Sequence, residues 1–237
     1  MEPAVNPPDN LVLVKIGGAL LADQAALTSL RAGICRLKPR SRIVLVHGGG
    51  PQSTALARRL GHEPRMINGR RITSDQDLAI ALWTMRGELN TKLVAALASD
   101  GLRAAGLSGV DGPTIRVNRR PPWTIDGQLV DFGHVGDIVS LDTTLIELLL
   151  SRDFVPVVAP IAVDAAGDVF NVNADTIATE LALALKAQRL LFVAESGGIR
   201  SDHRDASTRL SVFSEGDYRE GVGNGWIQDG MRVKLEG

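Results

Sequence analysis

Leu11-Val12-Leu13-Val14-Lys15-Ile16-Gly17-Gly18 is an apolar run that carries one cation and ends on a glycine pair. A short, continuous apolar segment of this kind suits a strand covered on both faces. The glycines leave bare backbone beside the Lys15 ammonium, a combination that suits a phosphate. The pattern returns at Ile43-Val44-Leu45-Val46-His47-Gly48-Gly49-Gly50, directly ahead of Pro51. Pro51 falls at the first turn of a helix predicted through Leu60, where its missing N–H costs little. Free amides and the positive end of a helix dipole at that point favour an anion. Two such strand ends side by side predict one anionic site.

Working outward, Leu20–Leu37 has apolar residues at helical spacing, so the chain opens β-α-β-α. Arg65–Thr73 holds an Asn68-Gly69 pair between short flanks, which predicts a hairpin overhanging the strand ends. Ser74 then caps a long helical stretch to about Asp100. Ala104–Leu107 reads as a strand. Thr114–Val117 and Gln128–Phe132 flank a loop rich in Arg, Pro and Trp, which reads as an antiparallel excursion or equally as a lid. Asp142 caps a helix over Leu145–Arg152, Phe154–Ala159 is another buried strand, and Val163–Val169 is a second hairpin. A helix over Ala174–Lys186, a strand over Arg189–Ala194 and a helix beginning in Trp226–Leu235 complete the reading. Apolar strands alternating with helices argue for an α/β fold of three layers, α/β/α, around a mostly parallel sheet. Ligands of such sheets lie beyond the carboxyl ends of the strands.

Composition narrows the partners. At 237 residues the chain can bury a sizeable core. Its 26 Lys and Arg nearly balance 27 Asp and Glu, so no global field draws it to nucleic acid or to an anionic membrane. The single Cys35 excludes an internal disulfide, and its neighbours Ile34 and Leu37 make it a packing residue on a helix face. The first ten residues, rich in proline, lack the features of a targeting segment and read as a disordered lead. No apolar run approaches the roughly 18 residues of a membrane span, so a cytoplasmic protein is expected.

Several common motifs are missing: there is no Gly-x-x-x-x-Gly-Lys-Ser/Thr loop, no Gly-x-Gly-x-x-Gly after the first strand, and no close Cys/His cluster. Taken singly, the remaining candidates stay open. Lys15 reads as a solvated strand-end lysine or as an anion ligand. Arg71 is a surface charge or a bidentate grip on a carboxylate. In Asn171-Val172-Asn173-Ala174-Asp175 the polar residues alternate, so the segment is either a turn with an N-cap or a set of side chains sharing one direction. Lys234 alone is indistinguishable from any helix lysine.

Taken in order, Lys15–Gly18, His47–Gly50, Asn68–Thr73, Asn171–Asp175 and Asp229–Lys234 resemble the segments of the amino-acid kinase family. They are most similar to its branch that phosphorylates N-acetyl-L-glutamate. Gly106–Gly112 and Gly133-His134-Val135-Gly136 look like two further family segments.

The resemblance implies transfer of the ATP γ-phosphoryl group to the side-chain carboxylate of N-acetyl-L-glutamate in arginine biosynthesis. Such transfer needs in-line placement and charge compensation more than covalent help. By the same resemblance, Lys15 and Lys234 hold the transferring group from two sides and Asp175 fixes both ammonium groups. Gly17, Gly18 and Gly48 bind phosphate. Gly49, Gly50, Arg71 and Asn171 bind the acceptor, and Glu195, Gly197 and Gly198 bind the nucleotide. Mg²⁺ is expected with ATP, held by phosphate oxygens and water.

The implied organisation is one domain over 11–237, mainly acceptor-binding to 160 and mainly nucleotide-binding from 161. It is expected to be short of its C-terminal strand and to form a homodimer without arginine inhibition. Two departures from the family stand out: Glu195 where relatives carry Asp, and the chain's end soon after Lys234. A kinase for a carrier-linked amino-adipate or glutamate, and a non-catalytic sensor of amino acid or nucleotide, are the alternatives.

Overall fold

The computed structural model describes residues 10–195, 197–202 and 205–227. In chain order these form β1 (Leu11–Ile16), α1 (Gln24–Leu37), β2 (Arg42–His47), α2 (Gly50–Arg59), β3 (Met66–Ile67), β4 (Arg70–Arg71), α3 (Asp75–Ala81) and α4 (Asn90–Ser99). There follow β5 (Ala104–Ser108), β6 (Ile115–Arg119), β7 (Trp123–Ile125), β8 (Gln128–Val130), β9 (Gly136–Leu141), α5 (Thr144–Ser151) and β10 (Val155–Ala159). The order closes with β11 (Ile161–Val163), β12 (Val169–Asn171), α6 (Ala174–Ala184), β13 (Arg189–Val193) and α7 (Glu215–Gly223). Met1–Asp9 of the expected lead lie outside the described residues, and Asn10 donates to Ser41 Oγ at 2.8 Å.

The main sheet runs β13-β1-β2-β10-β5, all parallel. Its strands alternate between two cores, as the period of two demands. Val12, Val14 and Ile16 meet α1 and α4 through Ile34, Leu93 and Leu97, while Leu11 and Leu13 meet α5 and α6 through Ile146, Leu150, Ile177 and Leu181. This is the three-layer α/β/α arrangement. Lys15 follows Leu11 and Leu13 on the face that α6 covers, so alternation alone aims it at that helix. A second sheet, β12-β11-β6-β9, is mostly antiparallel and caps the carboxyl ends of the first.

Several elements differ from expectation. The first helix begins at Gln24, because Asp23 caps it by accepting from Ala25 N and Ala26 N. Thr114–Val117 and Gln128–Phe132 are not partners: β6 pairs with β9, and β7 pairs with β8 across Asp126-Gly127. The stretch after Ser74 is helical, but Leu82–Leu89 widens into a π-helix. Strand β9 and helix α7 were not anticipated, and Trp226 and Ile227 are not helical; the rest of Trp226–Leu235 lies outside the described residues. Among the described residues no helix is long and apolar enough to cross a membrane.

The segment Phe132–His134 ties distant parts together. Thr73 N donates to Phe132 O at 2.9 Å, His134 N to Thr73 O at 2.8 Å, and Asn171 N to His134 O at 2.9 Å. The end of the β3–β4 hairpin and the end of β12 therefore hang on one short backbone run. Gly133 makes the approach possible: its φ is +69°, and an added Cβ would stand 2.2 Å from Thr73 O. Gly133→Ala should cost about 2–4 kcal/mol, from left-handed strain plus a backbone collision. A thermal scan should show the midpoint lowered by roughly 5–10 °C; an unchanged midpoint would contradict this account of the tie.

Candidate active site

Several loops and two helix starts converge at the carboxyl ends of β1 and β2. Gly17 N donates to Val193 O at 3.0 Å and Gly48 N to Ile16 O at 2.9 Å, so the loops after β13, β1 and β2 are joined in a row. Gly18 and Gly49 lie in contact, and an added Cβ on Gly18 would stand 3.0 Å from Gly49 N. One on Gly49 would press 2.8 Å from Leu89 Cδ1 and Met85 Cγ of the π-helical segment. Gln52 Nε2 donates to Gly18 O at 2.6 Å, holding the first loop to α2. Helices α2 and α6 both start here, and their first turns leave N–H groups without intrahelical partners. The region therefore favours negative charge.

Lys15 Nζ stands 2.7 Å from Asp175 Oδ1, both side chains about nine-tenths buried. Asp175 is in the first turn of α6, whose cap is Asn173: Asn173 Oδ1 accepts from Asp175 N at 2.7 Å and Thr176 N at 3.1 Å. Beneath the glycine loop, His47 is fully buried. Asn90 Nδ2 lies 3.1 Å from His47 Nε2 and donates to Val157 O, and His47 Nδ1 lies 2.9 Å from Gly48 O. These partners assign the neutral ring with its proton on Nδ1. Burial pushes its pKa down from 6.5 to about 4; the bond to the Gly48 carbonyl opposes this, and the Arg86 charge adds to it.

Beside the glycine loops opens a cleft of about 610 Å³, lined by Gly50, Thr54, Arg58, Met66, Arg71 and Asn171 among others. Arg71 donates from Nη2 to Thr54 Oγ1 at 2.6 Å and to Gly50 O at 3.3 Å. Asn171 Nδ2 donates to Thr73 Oγ1 at 3.4 Å.

The family model for the amino acid kinase family matches residues 10–237. The chain belongs to the amino acid kinase family. It is 34% identical over 229 residues to the acetylglutamate kinase of Methanothrix thermoacetophila, covering 96% of this chain and 79% of the relative. It is 37% identical over 228 residues to that of Anaeromyxobacter dehalogenans strain 2CP-C, covering 95% and 84%. Among solved structures, smu.665 from Streptococcus mutans UA159 superposes with a TM-score of 0.77 at 23% identity, covering 95% of this chain and 87% of that one, a likeness of fold.

Of the positions expected from the family resemblance, Lys15 and Asp175 are paired, and Gly17, Gly18, Gly48, Gly49 and Gly50 line the joined loops. Arg71, Asn171 and Gly50 share the cleft. Glu195, Gly197 and Gly198 follow β13 in an exposed turn, where Gly197 N donates to Ala194 O at 3.1 Å. Lys234 and the Asp229–Lys234 segment lie outside the described residues. Thr54 and Arg58 were missed, although Gly50, Thr54 and Arg58 at i, i+4 and i+8 already lie on one face of α2. Met66 and Met85 had no comparable signal.

Neutral His47 makes folding sensitive to acid. Between pH 6.5 and about 4 the unfolded chain binds a proton there that the folded chain refuses, so stability falls as pH falls through that window. The loss amounts to about 3 kcal/mol. Thermal midpoints of wild type and His47→Gln, measured from pH 7.5 to 4, should start apart and converge on acidification. A gap independent of pH would contradict it.

Proposed function

We propose that the chain is an ATP-dependent kinase that phosphorylates the side-chain carboxylate of N-acetyl-L-glutamate, giving N-acetyl-glutamyl 5-phosphate for arginine biosynthesis. The observation that carries this reading is the Lys15–Asp175 pair at the glycine loops, directly beside a cleft lined by Arg71 and Asn171. The relatives named acetylglutamate kinase, 34% and 37% identical across most of the chain, support the choice of acceptor.

In the proposed reaction a carboxylate oxygen of the acceptor attacks the γ-phosphorus, and the bond to the β–γ bridging oxygen breaks to release ADP. The attacking carboxylate is already ionised at neutral pH, so no side-chain base is needed. Lys15, with the amides of Gly17, Gly18 and Gly48, compensates charge on the transferring group. Asp175 aims the Lys15 ammonium. Gly49, Gly50, Arg71 and Asn171 hold the acceptor, Arg71 taking its α-carboxylate. Glu195, Gly197 and Gly198 approach the nucleotide, and Lys234 serves its phosphates from the other side. ATP enters as its Mg²⁺ complex, the ion held by phosphate oxygens and water.

On this reading 11–160 serve mainly the acceptor and 161–237 mainly the nucleotide. The enzyme is cytoplasmic and a homodimer.

A coupled ADP-release assay offering N-acetyl-L-glutamate, glutamate, aspartate and carbamate in parallel should show turnover with the first alone. Lys15→Ala should lower kcat by roughly 10²–10³, as loss of one preorganised donor at a developing charge does. Preference for another acceptor, or full activity without Lys15, would overturn the proposal.

A further inference from the structure

Asp77 is a carboxylate with two different duties. It is the third residue of α3 and is only 4% exposed. Its Oδ2 completes a reciprocal cap: Ser74 Oγ donates to it at 2.6 Å and Ser74 N at 3.3 Å, while Asp77 N donates back to Ser74 Oγ at 3.2 Å. A cap of this kind asks for one oxygen. The other, Oδ1, faces away from the cap and toward two basic side chains. His62 Nε2, just past the end of α2, is 3.0 Å from it, and Arg71 Nη1, on β4, is 3.5 Å from it. The carboxyl is held below its ordinary range: burial would raise it, and the hydrogen bonds from Ser74 together with the nearby His62 ring outweigh that.

Arg71 is thus gripped from two sides. Thr54 and Gly50 O take Nη2, and Asp77 attracts Nη1. At 3.5 Å the Asp77 contact orients the guanidinium without a full hydrogen bond, which leaves Nη1 able to turn a donor to a carboxylate in the cleft. An arginine already held in place loses less freedom when ligand binds. His62 in turn braces Oδ1 from the α2 side.

We infer that Asp77, braced by His62, is a positioning residue that sets Arg71 for the α-carboxylate of the acceptor. The inference rests on the proposed acceptor and deepens it. It also divides the two oxygens by role, Oδ2 for the fold and Oδ1 for specificity.

The test compares wild type, Asp77→Asn, Ser74→Ala and His62→Gln. For each, KM for N-acetyl-L-glutamate, KM for ATP and kcat are measured, with the acceptor Kd from calorimetry and the thermal midpoint alongside. Asp77→Asn keeps an acceptor for the cap and removes the charge. Its acceptor KM and Kd should rise about tenfold, the worth of a hydrogen bond to a charged group. Its kcat and ATP KM should stay within about twofold. Ser74→Ala should lower the midpoint and leave acceptor KM unchanged, which a merely structural role for Asp77 would not separate. If Asp77→Asn does not fold, His62→Gln decides, with a smaller rise in the same KM expected.

An unchanged acceptor KM in the folded variants would overturn the inference. So would a KM that falls, since Asp77 would then be competing with the substrate for Arg71. Wild type that binds N-acetyl-L-glutamate without turnover would defeat the proposed reaction while Kd still decides Asp77's role. Wild type that neither binds nor turns it over would defeat both.

Discussion

The buried pair of Lys15 and Asp175 is the constraint on which the site depends. It joins the end of β1 to the first turn of α6, elements that are 160 residues apart in the chain and neighbours across one layer of the fold. Taking two charges out of water is costly, and removing one partner of such a pair typically costs about 3–5 kcal/mol because the other is left stranded. A pair of apolar residues would serve the core as well. On the proposed function, the ammonium beside the glycine loops serves as an electrostatic tool rather than as a brace. Alternation on β1 puts it on the α6 face, the Asn173 cap fixes where α6 begins, and the glycine loops keep backbone rather than side chains around it.

A second constraint shapes the cleft. Arg71 and Asn171 are far apart in sequence and belong to different small sheets, yet both hang on the backbone run Phe132–His134. That run requires Gly133, and it sits between the β7–β8 hairpin and β9. The hairpin is anchored in turn: Arg120 lies 4.7 Å from the Trp123 ring centroid, Arg70 lies 5.1 Å from it, and Phe132 packs edge-on at 5.2 Å. The excursion that could be read as a lid from composition alone thus secures the hairpin bearing Arg71.

Most of the layered fold was legible in the sequence because strands buried on both faces must be continuously apolar, and Leu11–Val14 and Ile43–Val46 obey that rule. The Asn68-Gly69 hairpin and the Ser74 cap were legible for equally local reasons. Strand β9 was not, because its half-exposed Asp137-Ile138-Val139-Ser140 lacks a buried strand's pattern and finds its place only by pairing with β6. Helix α7 carries three glycines in nine residues, and its only local sign is the Ser214–Asp217 capping box. Leu82–Leu89 widens where it packs against α2 and the Gly49 loop, and no sequence period marks the change. The candidate site divides the same way. Spacing marked Lys15 and the glycine loops, whereas the partnership with Asp175 came from family resemblance, because no local pattern relates residues so distant. Asp77 was hidden inside an ordinary-looking cap.

The most direct test is a crystal structure of the chain with ADP, an aluminium fluoride and N-acetyl-L-glutamate. The fluoride should lie in line between ADP and the acceptor's side-chain carboxylate, about 3 Å from Lys15 Nζ and from amides of the glycine loops, with the α-carboxylate on Arg71. A fluoride bound beyond hydrogen-bond reach of Lys15, with the acceptor away from Arg71, would contradict it.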